Sequence, residues 1–190
     1  EDRIRGGKVT APVYFIHRRR LRRIMAKSDS FFIRASVPTN NVTFNQVAID
    51  LGAYVDALGK SVLRLHSTAV SYGSPLNKIT TVPSSDHAVC AFQLTTQSQA
   101  SMVNATNKST ISTGQLLVSG DPTQVIVSIS ESLDIAPQMW KGGYLVGVEQ
   151  IYLGVDQVTT DVVDEVTIVL ECTVETLNAS AAMALALSQQ

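Results

Sequence analysis

Five arginines fall within six consecutive positions, Arg18, Arg19, Arg20, Arg22 and Arg23, preceded by His17 and split only by Leu21. Guanidinium groups keep their charge at any ordinary pH, so a cluster of five repels itself and needs a counter-charge. Phosphate suits it, because each fork grips phosphate oxygens bidentately. Arg3, Arg5, Lys8 and Lys27 extend the tract: residues 1–27 hold nine basic and two acidic residues, a formal charge of +7. Residues 28–190 hold six basic and fourteen acidic residues, a formal −8, so the overall −1 conceals a basic segment joined to an acidic remainder. Such a split points to a polyanion partner, or to pairing of one chain's basic segment with another chain's acidic surface. Both readings stand at this level.

Groupings that would do catalysis are sparse. His17, His66 and His87 are far apart and share no metal-ligand spacing. Ser85-Asp86-His87 contains the three triad residue types, but adjacent residues cannot form a triad with one another, and the stretch reads as a loop running into a strand. Gly142-Gly143 has no phosphate-binding pattern around it. Cys90 and Cys172 lie in apolar runs and in no CxxC pair, which argues against zinc and for two buried free thiols. The expectation is a protein that is not an enzyme and has no cofactor. Asp156, Asp161, Asp164 and Glu165 crowd one stretch, and their oxygens suit a hard cation such as calcium at a subunit contact. The spacing is not that of an EF-hand, and a solvated acidic turn is the plainer reading. Trp140, with Met139 and Tyr144, offers either a stacking surface for a sugar or base or a plug over one end of the fold.

The elements that must carry these groups read mostly as strands. Before residue 30, Leu21, Ile24 and Met25 recur at helical spacing, which predicts a short helix or ordered arm. Alternation then predicts strands at 31–37, 42–49, 61–72, 87–96, 115–118, 123–133, 144–155 and 166–174. The last is the cleanest, with Val166, Ile168, Leu170, Cys172 and Val174 inward. In 61–72, Leu63, Leu65 and Ala69 are expected on one side and Arg64, His66 and Thr68 on the other. Leu51, Tyr54, Val55 and Leu58 recur at three and four, predicting a short helix near 50–58 that ends at Gly59. The stretches 73–86 and 97–113 read as long polar loops, and 136–143 as a loop. The tail 178–190 is Ala-rich, with Asn178 as a candidate cap, and reads as a short helix or a frayed end that docks on another surface. No run of about 18 apolar residues exists, so neither a membrane span nor a membrane partner is expected.

Eight alternating strands with several long connections predict an all-β chain, an eight-stranded antiparallel jelly-roll sandwich. Its first, third, sixth and eighth strands would form one sheet and the other four the second. The division read from the chain is a basic arm at 1–29, a β-sandwich at 30–177 and a tail at 178–190. At 45% hydrophobic and only 16% charged, the chain is globular, and its low charge suits surfaces covered by neighbouring subunits.

An Arg-rich leader (Arg18, Arg19, Arg20, Arg22, Arg23) before an eight-stranded, Ser/Thr-rich β-body resembles the single jelly-roll coat proteins of small icosahedral viruses, at the level of architecture and over the whole chain. The resemblance implies a structural capsid protein of the virion that self-assembles into a large homo-oligomeric shell. It also implies that the arm, with Arg3, Arg5, Lys8 and Lys27 in support, neutralises the phosphates of the packaged viral genome without sequence preference. The apolar block Val13–Ile16 implies a part of the arm that packs under the shell. A reading from a different class is a carbohydrate-binding β-sandwich module with Trp140 and loop tyrosines as its sugar platform.

Overall fold

A computed structural model describes residues 27–41, 43–56, 58, 60–74, 87–121, 126–132, 139–158 and 163–190, with the backbone alone at 87, 88, 119–121 and 126–132. Among these residues lie nine strands and one helix: β1 (Phe31–Pro38), β2 (Asn45–Asp50), β3 (Ser61–Tyr72), β4 (His87–Thr95), β5 (Thr110–Asp121), β6 (Ile126–Ser132), β7 (Met139–Val146), β8 (Gln150–Gln157), β9 (Glu165–Thr176) and α1 (Ala179–Ser188). They form two antiparallel sheets, ordered β1-β9-β3-β7 and β2-β8-β4-β5-β6. This is an all-β jelly-roll sandwich. With β6 set aside, the eight remaining strands divide as first, eighth, third and sixth against second, seventh, fourth and fifth.

The number of strands and two of their assignments differ from expectation. The stretch 144–155 is not one strand: Val146 ends β7 in one sheet, Gln150 begins β8 in the other, and Gly147, Val148 and Glu149 cross between them. The break falls at Gly147-Val148-Glu149-Gln150, where a glycine and two polar residues separate two apolar stretches; a Cβ at Gly147 would meet Leu185 of α1 at 3.0 Å. The strand at Ile126–Ser132 makes a hairpin with β5 and widens the second sheet instead of joining the first. β5 is also longer than read, because Thr110, Ser112 and Thr113 are polar yet belong to the ladder with β4.

Among the described residues near 50–58 no helix forms. Tyr54 N and Val55 N both donate to Leu51 O, and Asp50 Oδ1 accepts from Gly52 N, making a single turn. One turn fixes several residues for few hydrogen bonds and does not propagate without length. Leu51 and Val55 still enter the core, whereas Leu58 is exposed. The tail does form a helix: Ala181 N donates to Asn178 Oδ1 at 2.8 Å, and Ala182 and Ala186 are buried. Gln189 ties its end to the β7–β8 crossover, accepting from Gly147 N at 2.8 Å and donating to Leu145 O at 2.7 Å.

The core lies between the sheets. Leu63 and Leu65 of β3 and Ile168, Leu170 and Cys172 of β9 face Phe92 and Leu94 of β4 and Ile151, Leu153 and Val155 of β8, all fully buried. Cys90 and Cys172 are free thiols, and burial pushes both up to about 12, with the charge of Asp156 adding at Cys90. The 97–109 segment is anchored to the second sheet's outer face by its polar groups: Gln93 donates to Ser101 O, and Val103 N donates to Gln93 Oε1. β1 pairs with β9 in the register Phe31↔Cys172 to Pro38↔Glu165, so the two ends of the body meet. Leu170 lies fully buried in that ladder, and Leu170→Ala is expected to cost about 2–5 kcal/mol in equilibrium denaturation.

Candidate nucleic-acid interface

Of the basic residues singled out in the sequence, Arg3, Arg5, Lys8, Arg18, Arg19, Arg20, Arg22 and Arg23 lie outside the described residues; Lys27 lies within them. Its backbone bridges Glu175, and Ser28 N donates to Val174 O at 3.0 Å while Ser28 Oγ accepts from Val174 N at 2.8 Å. The root of the basic segment is therefore stitched along β9, just before β1 takes over the same edge. Lys27 Nζ stands 3.9 Å from Glu175 Oε1.

Glu175 is the hub of this root. Arg64 reaches it from β3 with two parallel hydrogen bonds, Nε to Oε1 and Nη2 to Oε2, each 2.7 Å, and Arg64 Nη1 donates to Gly142 O on β7. The fork geometry suits a carboxylate, and the pair is mostly buried, so it is worth more than a surface contact. The hydrogen bonds from Arg64 hold the Glu175 carboxyl below the ordinary glutamate range against the opposing effect of burial, helped by the charges of Arg64, Lys27 and His66. The same bonds raise Arg64 against the opposing effect of burial. His66 Nε2 lies 2.9 Å from Thr173 Oγ1 beside this pair.

A bulge builds the neighbourhood. Leu65 pairs with Cys172 and Ser67 with Glu171, so His66 is the extra residue on β3. One added residue inverts the phase of the rest of the strand. Thr68 is accordingly buried and Ala69 exposed, the reverse of simple alternation. On β7, residues 140–143 stand opposite His66 alone, since Leu65 pairs with Tyr144 and Ser67 with Met139. Gly143 has φ +71°, and a Cβ there would lie 2.4 Å from Arg64 Cγ, so this glycine is required both by its backbone and by the guanidinium stem it admits. Trp140 is in β7 and not in a loop; it is half-buried against the core, 6.0 Å from the Tyr144 ring.

Of the acidic candidates, Asp156 and Asp164 each make separate local hydrogen bonds. Asp161 lies outside the described residues. Asp164 accepts from Ser74 N at 3.0 Å; burial pushes its carboxyl up, but backbone and side-chain hydrogen bonds with Ser74 and those of neighbouring amides leave it lowered. Asp156 Oδ1 accepts from Gln157 N. Among the described residues no three His, Cys, Asp or Glu side chains gather as metal ligands, and no helix is long and apolar enough to cross a membrane. The pair that organises the site, Arg64 and Glu175, escaped the sequence reading. Separated by 111 positions, its only sequence signal is that both face outward on strands the jelly roll makes neighbours.

No family model and no curated protein sequence matches the chain. Among solved structures, one titled Desmodium yellow mottle tymovirus is similar at 11% identity, covering 93% of this chain and 95% of that one, with a TM-score of 0.35.

Removing one partner of a mostly buried ion pair leaves the other uncompensated, so Arg64→Ala is expected to cost about 3 kcal/mol in denaturant titration. Because the folded-state Glu175 carboxyl is lowered, the pair's contribution is present above the ordinary glutamate value of 4.5 and is lost as pH falls through the lower folded value. The difference between wild type and variant should therefore shrink on acidification below that value; a difference constant with pH would show that Glu175 is not the partner that matters.

Proposed function

We propose that this chain is the structural coat protein of a small icosahedral virus, a non-catalytic protein that assembles with copies of itself into a closed shell and contacts the packaged genome through its basic segment. The observation that supports this most is the junction at Lys27–Ser28. A +7 segment is joined to the edge of a jelly-roll sandwich through hydrogen bonds to β9, while residues 28–190 carry −8. An acidic body repels polyanions, so the attraction must come from Arg18, Arg19, Arg20, Arg22 and Arg23, with Arg3, Arg5, Lys8 and Lys27 in support. Phosphate contacts of this kind carry no sequence information, and the packaged strand is held without base preference by the arm. Low overall charge favours extensive coverage of the body by neighbours, through contacts that include 73–86 and 97–113.

Purified protein should form closed shells in electron microscopy. Dispersed monomers at high concentration across salt and pH, especially with binding to a sugar panel, would overturn the reading in favour of a carbohydrate-binding module. Nucleic-acid affinity should fall with salt at a log–log slope of roughly −3 to −5 if most of the five clustered arginines engage single-stranded or duplex phosphates. Changing those five to Ala together should abolish binding and leave the β-body folded by circular dichroism. Should the same variant fail to assemble without nucleic acid while the wild type forms empty shells, the arginines pair with acidic groups of a neighbouring chain, such as Asp161, Asp164 or Glu165.

A further inference from the structure

The bulge that seats Arg64 also opens a groove on the outer face of the β1-β9-β3-β7 sheet. His66, Ser67, Met139, Trp140, Lys141 and Glu171 line a cavity of about 470 Å³. Directly opposed residues of antiparallel strands share a face. The register Phe32↔Glu171, Glu171↔Ser67 and Ser67↔Met139 therefore draws one row across all four strands of this sheet. Both ends of the row are large apolar groups in solvent: Phe32 is 54% exposed and Met139 67%. The Arg34 guanidinium stands 5.6 Å from the Phe32 ring centroid, and Lys141 is exposed beside Met139.

We infer that this groove takes an unpaired base of single-stranded nucleic acid, an inference that rests on the proposed contact with a packaged genome. Two observations favour that occupant. The first is charge. Arg34, Arg64 and Lys141 on this face match Glu165, Glu171 and Glu175 one for one, whereas residues 28–190 elsewhere hold three basic and eleven acidic residues. This face thus escapes the repulsion that the rest of the body exerts on phosphate, and the unpaired cations at its rim are Arg34 and Lys141. The second is continuity. Arg64 reaches Gly142 within the bulge and Glu175 at the root of the basic segment, so the point from which that segment starts is linked to the groove. Inside it, Met139 and Trp140 supply an apolar and aromatic wall, Lys141 a phosphate partner, and Glu171 an acceptor for an exocyclic amine. Glu171 already accepts from Ser67 Oγ at 3.1 Å, which aims it along the row. Aromatic walls with flanking cations hold unpaired bases with little regard to sequence.

Trp140 is the sole tryptophan, so its emission reports groove occupancy in the full-length chain. The probes are a mixed-sequence single-stranded oligonucleotide and an abasic strand of equal length, which keeps the phosphates. The intact strand should change Trp140 emission and bind roughly 5- to 100-fold more tightly than the abasic one, as one stacked base provides. Met139→Glu, a substitution at an exposed position, should remove both the emission change and the difference between strands while leaving affinity for the abasic strand the same within twofold. If both strands bind the wild type equally, with salt-sensitive affinity and unmoved emission, the groove is not a base site and the arm reading survives. If Met139→Glu keeps the emission change, the groove is likewise excluded. If neither strand binds, the groove and the genome-contact role fall together.

Discussion

Strand β9 hydrogen-bonds along both edges, to β1 on one side and to β3 on the other, while burying one face in the core. A strand held this way has no freedom of register. A slip of one residue would turn Ile168, Leu170 and Cys172 to solvent and push Thr167, Val169 and Glu171 into the apolar interior. Fixing β9 fixes β1, which fixes where Lys27 and Ser28 lie. It also fixes which residue of β3 faces Glu175. The rest of the first sheet follows from that alignment.

Within that alignment the extra residue at His66 and the four-residue excursion of β7 form the one large irregularity of the first sheet. The ladder loses hydrogen bonds there. Arg64 offsets part of that loss by bonding Gly142 O, and the glycine at 143 lets the β7 backbone pass close to the guanidinium stem. The same distortion places His66 and Ser67 on one face as consecutive residues, which regular pleating forbids. Root and groove are thus two results of one bulge: the ion pair closes it on one side, and Trp140 and Lys141 line the groove on the other.

The two-sheet plan was legible because it rests on period-two burial, which each strand declares locally. Val166–Val174 could be read as inward-facing at alternate positions, and the β1–β9 pairing followed from topology. The faces of Thr68 and Ala69 could not be read, since a bulge is a property of two strands and leaves no mark in either alone. Thr110, Ser112 and Thr113 resembled a loop because they are polar, and only their pairing with β4 makes them strand. Leu51, Tyr54, Val55 and Leu58 carried a helical spacing, but only one hydrogen-bonded turn formed. For the site, the basic segment was plain from composition. Arg64 and Glu175 were not, because attraction between residues on different strands appears only once the strands are side by side.

The β1–β9 ladder and the clasp of Gln189 on Gly147 also impose an order on the chain's biogenesis. Synthesis is vectorial, and domains form as their segments leave the ribosome. β1 leaves long before β9 exists, and the β7–β8 crossover is complete before Gln189 is made. No stable first sheet can close before β9 has been made, so Phe31, Ile33 and Val37 stay without their partner strand until then. Non-local pairing of this kind is slow and exposes unpaired edges to other nascent chains. The Lys27–Glu175 bridge, which requires β9, couples the positioning of the basic segment to completion of the first sheet: a polypeptide truncated before β9 keeps the positive charge but has no β9 to anchor it.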